Sequence, residues 1–400
     1  MGTAATPAAN AAQLNQMARA AIKARAIKMT QVIFNQTFTP AAGQNISASN
    51  PQITVPLRNV GLIMGFWLKV VFTVNNGSAE TIDLTDFGPA NVFSQIQFTD
   101  LNNNIRIQTP GWHIAFVNAI KARQPFGAAS LKTSQDSPIN FGSNFTGVTT
   151  AAATITAGNN STLTMWYYVP LAYSENDFRG AIYANVVNAT MQLVLTPNPT
   201  PVVQYGTDST SAVYVGAAAG SMAAAVISSM TVEVYQEYLD QLPVGKGGVL
   251  LPMMDLSTLY ELKQTNFSAI TATQDFPMQY ANFRDFISTT LVYVNTGATG
   301  ARTGGTDMNY LALQAANMTN LFKIEPALAA IKVRNHLGYD LPPGVYYFGS
   351  REKPISTIQY GNMELIINAI TAGAGAYALV GYEDFARVQA LNQAGSLAAS

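Results

Sequence analysis

The chain has 400 residues, with 21 Lys and Arg against 22 Asp and Glu, two His, no Cys, a formal net charge of −1 and 48% hydrophobic residues. A folded monomer of this size exposes ~15,000 Å², so charged groups are spread at one per ~350 Å², where an ordinary composition gives roughly one per 150. The composition excludes thiolate zinc sites, disulfide frameworks and nucleic-acid binding by phosphate neutralisation, so neither a cofactor nor a sequence-specific nucleic acid is expected.

The first 79 residues contain no acid; Glu80 is the first. Residues 11–29 lack Gly and Pro and are rich in Ala, with Asn10 placed to cap and Gln13 to return the bond, which predicts an N-terminal helix. At 100° per residue, Arg19 and Lys23 fall on one side and Arg25 and Lys28 nearly opposite, so the helix is basic without being cleanly amphipathic. These four cations are the candidate site. They suit an anionic membrane surface, worth ~1 kcal/mol per basic residue, a solvated helix face, or a face that pairs with acids of a neighbouring subunit. The apolar run 60–74 is broken by Lys69 and too short to cross a bilayer, and the first 30 residues lack a secretory pattern. Assembly in the cytoplasm is therefore expected.

Beyond the helix the period changes to two. Segments 31–38, 62–74, 92–99, 105–109, 163–169, 191–195 and 230–238 are short, β-branched or aromatic and separated by Asn, Gly, Pro and Asp, as strands are. Asp100 to Asn104 has hairpin-turn residues, and 111–123 reads as a helix. A Pro and Gly cluster at 242–248 marks a linker between a first unit, 31–241, and a second, 249–388, with an arm at 1–30 and a tail at 389–400. The second unit repeats the style, with strands at 285–295, 321–325, 344–348, 356–368 and 377–388 and a helix near 327–336. No repeat is visible residue by residue. The Ala- and Thr-rich stretches 147–162 and 212–226 read as connections with little core of their own. Many short strands, a few helices and long connections fit a mainly β fold of tandem sandwiches or jelly rolls.

Catalytic constellations are sparse. His113 and His336 lie far apart, and His113, beside Trp112, reads as a hydrogen-bonded packing residue. Glu175 with Asp177 and Glu383 with Asp384 are the tight acid pairs, and a glycosidase-like pair needs two carboxylates across a cleft. Gly245-Lys246-Gly247-Gly248 lacks the Ser or Thr and the helix that a phosphate loop requires, and reads as a turn between units. No site of catalytic or metal-binding type emerges.

The words Val234-Tyr-Gln-Glu-Tyr-Leu-Asp-Gln-Leu-Pro-Val-Gly245, Leu251-Pro252 and Asp255-Leu-Ser-Thr-Leu-Tyr260 resemble the major capsid protein of tectiviruses, tailless bacteriophages with an internal membrane. Further words in the same order are Leu84 to Asn91, Gly111-Trp-His113, Phe116-Val-Asn118, Asp136 to Ile139, Val169 to Glu175, Gln279 to Asn282, Gly344 to Tyr347, Lys353 to Ile355 and Gln359 to Asn362. The likeness runs from about 30 to 388 and is weakest in the N-terminal helix and at 147–162, 198–226 and 296–320. It implies two tandem eight-stranded jelly rolls with short helices in loops, and a homotrimer whose six rolls give a nearly hexagonal footprint. It also implies an icosahedral shell over an internal lipid membrane, with the N-terminal helix on the inner side. Neighbouring capsomers and minor capsid, penton or cement proteins are the implied partners. Obligate interfaces are depleted of charge and rich in aromatics, which accounts for the composition. Two other classes fit less: a secreted carbohydrate-binding sandwich or adhesin, which lacks a signal segment here, and a glycoside-acting enzyme, which needs the carboxylate cleft.

Overall fold

The computed structural model describes residues 7–122, 145–146, 153–184, 190–245, 248–267, 270, 275–295, 308–315, 319–338, 340–349, 354–369 and 376–387. The first roll is built from β1 (Ile27–Phe38), β2 (Ile53–Pro56), β3 (Leu62–Asn76), β4 (Phe93–Thr99), β5 (Ile105–Thr109), β6 (Asn160–Pro170), β7 (Gln192–Pro197) and β8 (Ala225–Asp240). The second uses β9 (Thr258–Phe267), β10 (Asp275–Gln279), β11 (Arg284–Val294), β12 (Met308–Ala315), β13 (Thr319–Ile324), β14 (Val345–Gly349), β15 (Met363–Ala369) and β16 (Tyr377–Arg387). The first roll packs sheet β1-β8-β3-β6 against β2-β7-β4-β5; the second packs β9-β16-β11-β14 against β10-β15-β12-β13. Raising every label of the first roll by eight gives the second. The chain is thus a double jelly roll.

Alternation explains the long strands. Phe66, Leu68, Val70, Phe72 and Val74 of β3 are fully buried while Trp67, Lys69, Val71 and Thr73 between them face outward. At the Asp100 turn, the carboxylate accepts the backbone N–H groups of Asn102 and Asn104, each at 2.9 Å, while Asn103 takes φ 61°. The rolls join edge to edge: β5 runs parallel to β9, with Ile107 beside Leu262 and Gln108 beside Lys263. One sheet therefore crosses both rolls, and they stand the same way up. Ile27, Leu62, Thr258 and Arg284 mark one end of their strands, and Asn76, Ala225, Phe267, Val294 and Tyr377 the other.

Helices that bear on the surfaces below are α1 (Pro7–Arg25), α2 (Gly111–Ala122), α3 (Met253–Leu256) and α4 (Pro326–Leu337). α1 begins at Pro7, which suits a first helical position, so Asn10 lies inside the helix. It ends at Arg25 instead of continuing to 29, because residues 27–38 pair with β8, and Lys28 is therefore a strand residue. The segment 356–368 is likewise divided. A short helix, Thr357–Tyr360, and Gly361 at φ 71° precede β15, a break that hydrophobic periodicity does not register. Near 147–162 and 212–226 the connections carry more core than expected. Short strands Ile82–Leu84, Thr154–Ile155, Val202–Val203 and Tyr214–Gly216 form a small sheet whose Ile155 and Tyr214, with the adjoining Val213, are buried in the first core.

Candidate assembly surfaces

The joint between the rolls is built on α2, which lies against the first-roll side of β9-β16-β11. Glu383 on β16 is fully buried and accepts hydrogen bonds from Tyr260 (2.7 Å) and Ser288 (2.6 Å), with the Lys121 ammonium 3.2 Å away. A buried carboxylate needs such partners. Higher up, His113 bonds to Thr109 through Nδ1 at 2.8 Å, and its ring fills the space above Gly381. A Cβ at Gly381 would stand 2.3 Å from His113 Nε2, so only Gly lets helix and strand approach this closely. Burial pushes the His113 pKa down to about 4, keeping the ring neutral. Arg106 on β5 is also fully buried and donates to the Gly180 carbonyl at 2.5 Å; burial pulls its pKa down to about 10, against the pull of Asp100 and Glu261.

At the lower end, α1 is clamped to α3 and the loop after β6. Arg19 donates Nε to Asp255 Oδ2 (2.6 Å) and an N–H to Oδ1 (2.5 Å), and sits 3.7 Å from Asp177. Asn15 completes the clamp by donating to Asp255 and accepting from the Met254 backbone N–H. The hydrogen bond to Asp255 raises the Arg19 pKa in spite of burial. Behind this pair, Ala18 and Ile22 are buried with Leu62, Met64 and Phe178.

The four predicted cations thus separate. Arg19 is committed to Asp255, and Lys28 on β1 pairs with Glu175 and, at 3.2 Å, Glu237; these bonds outweigh burial and raise its pKa. Lys23 and Arg25 are exposed in the last turn of α1 and make no ion pair among the described residues, near the helix end that favours positive charge. Leu14 and Met17 on α1 and Met253 and Met254 on α3 are exposed apolar side chains at the same end of the rolls.

The outward face of β1-β8-β3-β6 is a half-buried aromatic surface. Trp166 and Tyr235 stack at 6.0 Å across Lys69, which lies 5.7 Å over the Trp166 ring and 3.3 Å from Glu233. Trp67 and Tyr168 pack beside them at 4.8 Å.

The acid pairs offer no matched catalytic geometry. Glu175 and Asp177 are engaged by Lys28 and Arg179, and Glu383 and Asp384, as strand neighbours, point to opposite faces of their sheet. Asp384 instead lines a groove of about 310 Å³ with Glu261, Lys263 and Arg284 between β9 and β10. Burial and then Glu261 push its pKa up to about 7, while Glu261 is held by Arg284 (2.6 Å) and Lys263 (3.0 Å). Gly245 and Gly248 pair as a turn between units; Lys246 lies outside the described residues. His336 is exposed near the end of α4.

Sequence reasoning missed Asp255, Gly381 and Arg106 as individual residues. The signal for the first was the word beginning at Asp255, and for the joint the words Gly111 to His113 and Phe116 to Asn118.

Two rolls that stand the same way up and share a sheet make a double jelly roll, the fold class of several viral capsid proteins. The same fold occurs in the capsid protein of Sulfolobus Turreted Icosahedral Virus (TM-score 0.63, 12% identity, 90% of this chain and 97% of that one) and in the PBCV-1 virus capsid (TM-score 0.54, 11% identity, 90% and 94%). Residues 2–242 match the P3 major capsid protein N-terminal family and residues 257–399 the P3 major capsid protein C-terminal family. The chain is 40% identical over 402 residues to Major capsid protein P3 of Enterobacteria phage PRD1, covering 98% of each. It belongs to the P3 major capsid protein family, and its place is the capsid shell of a virion.

Proposed function

We propose that three copies form a trimer of six upright rolls, and that trimers tile an icosahedral shell with their α1 ends toward an internal lipid membrane. Neighbouring capsomers and minor capsid, penton or cement proteins are the partners at the lateral faces. The observation that carries this reading is polarity. Both rolls point the same way, and the end with α1 bears Leu14, Met17, Met253 and Met254 beside Lys23 and Arg25. Exposed apolar side chains and cations gathered at one end suit an anionic lipid interface. The strand ends at Asn76, Ala225, Val294 and Tyr377, which carry several of the longer connections, then face outward, where loops can vary without disturbing strands.

Light scattering tests the assembly. The purified chain is expected to keep a mass of three subunits on dilution through the micromolar range, because trimer contacts on this reading are obligate and largely apolar. A mass of one subunit throughout that range contradicts the trimer.

A further inference from the structure

Asp384 is an acid whose Oδ1 the second roll buries without a hydrogen bond. Glu261 of β9, Asp384 of β16 and Phe286 of β11 stand in one row across their sheet, with Lys263 and Tyr382 in the row above. Tyr382 packs against the second core, so Asp384, two residues on, shares its inward face. The groove of about 310 Å³ between β9 and β10 runs over this row.

The other polar groups around the groove are largely committed to neighbours. Glu261 takes Arg284 at 2.6 Å and Lys263 at 3.0 Å. Thr357 accepts from the Arg284 backbone N–H and donates to its carbonyl, the Tyr280 hydroxyl bonds to Thr289 at 2.7 Å, and Gln279 donates to Glu364. Asp384 Oδ1 is left with the Arg284 guanidinium 4.0 Å away, too far for a hydrogen bond. A buried carboxylate oxygen without a donor is costly, so the groove selects for a donor. Its walls decide which. Phe267, Tyr280, Phe286 and Tyr382 line it, with Tyr280 at 4.7 Å from Phe286 and edge-on at 5.2 Å from Tyr382. Aromatic faces attract a cation and cover an apolar stem. A divalent metal ion needs several oxygen ligands, and no group of three His, Cys, Asp or Glu able to hold one occurs among the described residues. A primary ammonium needs less: it is a compact charge with three donors.

We propose that this groove binds a primary alkylammonium ion, with its ammonium on Asp384 Oδ1 and its short stem against the half-buried Phe267 and Tyr382. Two sources carry that chemistry, a free amine and the lysine side chain of another chain. The site lies within the second roll and does not depend on the trimer. Burial, then Glu261 and more weakly Glu383, hold the Asp384 pKa up to about 7 against Arg284 and Lys263, while Tyr280 and Tyr382 are pushed up by burial and stay neutral. Ligand and proton therefore compete for one carboxylate, and the cation binds the ionised form.

The test uses the purified chain in amine-free phosphate buffer, titrated with n-butylammonium chloride and followed by saturation-transfer NMR of the butyl protons. Butylammonium is expected to saturate a single site with Kd on the order of 1 mM at pH 8. Binding should weaken about tenfold at pH 6, where roughly a tenth of Asp384 is ionised. 1-Butanol, the neutral counterpart, should bind at least tenfold more weakly. Asp384→Asn, which keeps the side-chain volume, should weaken butylammonium tenfold or more and remove the pH dependence. No saturation by ~20 mM, equal binding of butanol and butylammonium, or a flat response from pH 6 to 8 overturns the proposal in the parent alone, so it does not hang on the variant folding. An Asp384→Asn chain that folds and binds as tightly as the parent overturns it as well. Assembled shells separate the sources: they take up butylammonium as the purified chain does if a free amine is the ligand, and refuse it if a neighbour's lysine holds the groove.

Discussion

His113 and Asp384 flank the same strand region and respond to acid in opposite senses. His113 titrates at about 4 in the fold because burial penalises its charge, against about 6.5 when unfolded. As pH falls from 6.5 to 4 the unfolded chain takes the proton and the fold does not, so up to ~3 kcal/mol of stability is lost. Asp384 is raised to about 7 by burial and by Glu261. Here the folded state binds the proton first, so stability is gained as pH falls from 7 to 4, by at most ~4 kcal/mol, an upper bound because the side chain keeps 15% of its surface in water. The two nearly cancel. Urea melts of the parent at pH 7, 5.5 and 4.5 are therefore expected to show little change from this pair. Asp384→Asn should lose stability toward acid, and His113→Asn should gain it, each relative to the parent. Parallel profiles for all three proteins would contradict the assignment.

At the scale of elements, α1 is held by a few contacts and is expected to open as a unit. Its docking combines burial of Ile22, worth about 1.5–3 kcal/mol, with the Arg19 pair on a nearly buried Asp255. Arg19→Gln leaves that carboxylate without its cation and is expected to cost about 2–3 kcal/mol of docking, less than a fully buried pair because Arg19 keeps a third of its side-chain surface in water. Hydrogen exchange should accelerate roughly 30-fold or more over residues 7–25, with β3 and β8 unchanged. Exchange that rises equally throughout would show that α1 is part of the global unit. This anchor also shows what sequence reading reaches. The strands at 62–74 and 230–238 are legible because one apolar face alternates along each, and α2 because its run lacks breakers. Asp255 is not legible as an anchor, since Arg19 lies 236 residues away and no local pattern records the pairing. Lys28 reads as a helix residue in the sequence because Ala-rich propensity has no view of the β8 edge that captures residues 27–38. The repeat between rolls is not visible residue by residue because it lies in strand order and bulge position, the registers skipping Met64 on β3 and Ile287 on β11.

For the whole molecule, the acid-free first 79 residues acquire a narrower meaning once their cations are placed. Arg19 and Lys28 neutralise acids from later in the chain, so the opening segment is less basic in the fold than in the sequence. Lys23 and Arg25 are left on the apolar end, and many copies in one shell multiply their weak individual attraction. Lys23→Gln with Arg25→Gln is therefore expected to leave mass and melting temperature unchanged. It should weaken binding of assembled subunits to vesicles with one-third phosphatidylserine by roughly tenfold or more at low salt, at about 1 kcal/mol per cation. The difference should shrink as ionic strength rises and the Debye length falls to about 8 Å at 0.15 M. A parallel Leu14→Gln with Met17→Gln variant separates the two contributions: its loss of binding should persist at high salt, because burial of apolar surface is not screened. Equal vesicle binding by all three proteins at low salt would remove the lipid role and leave α1 as a clamp on α3.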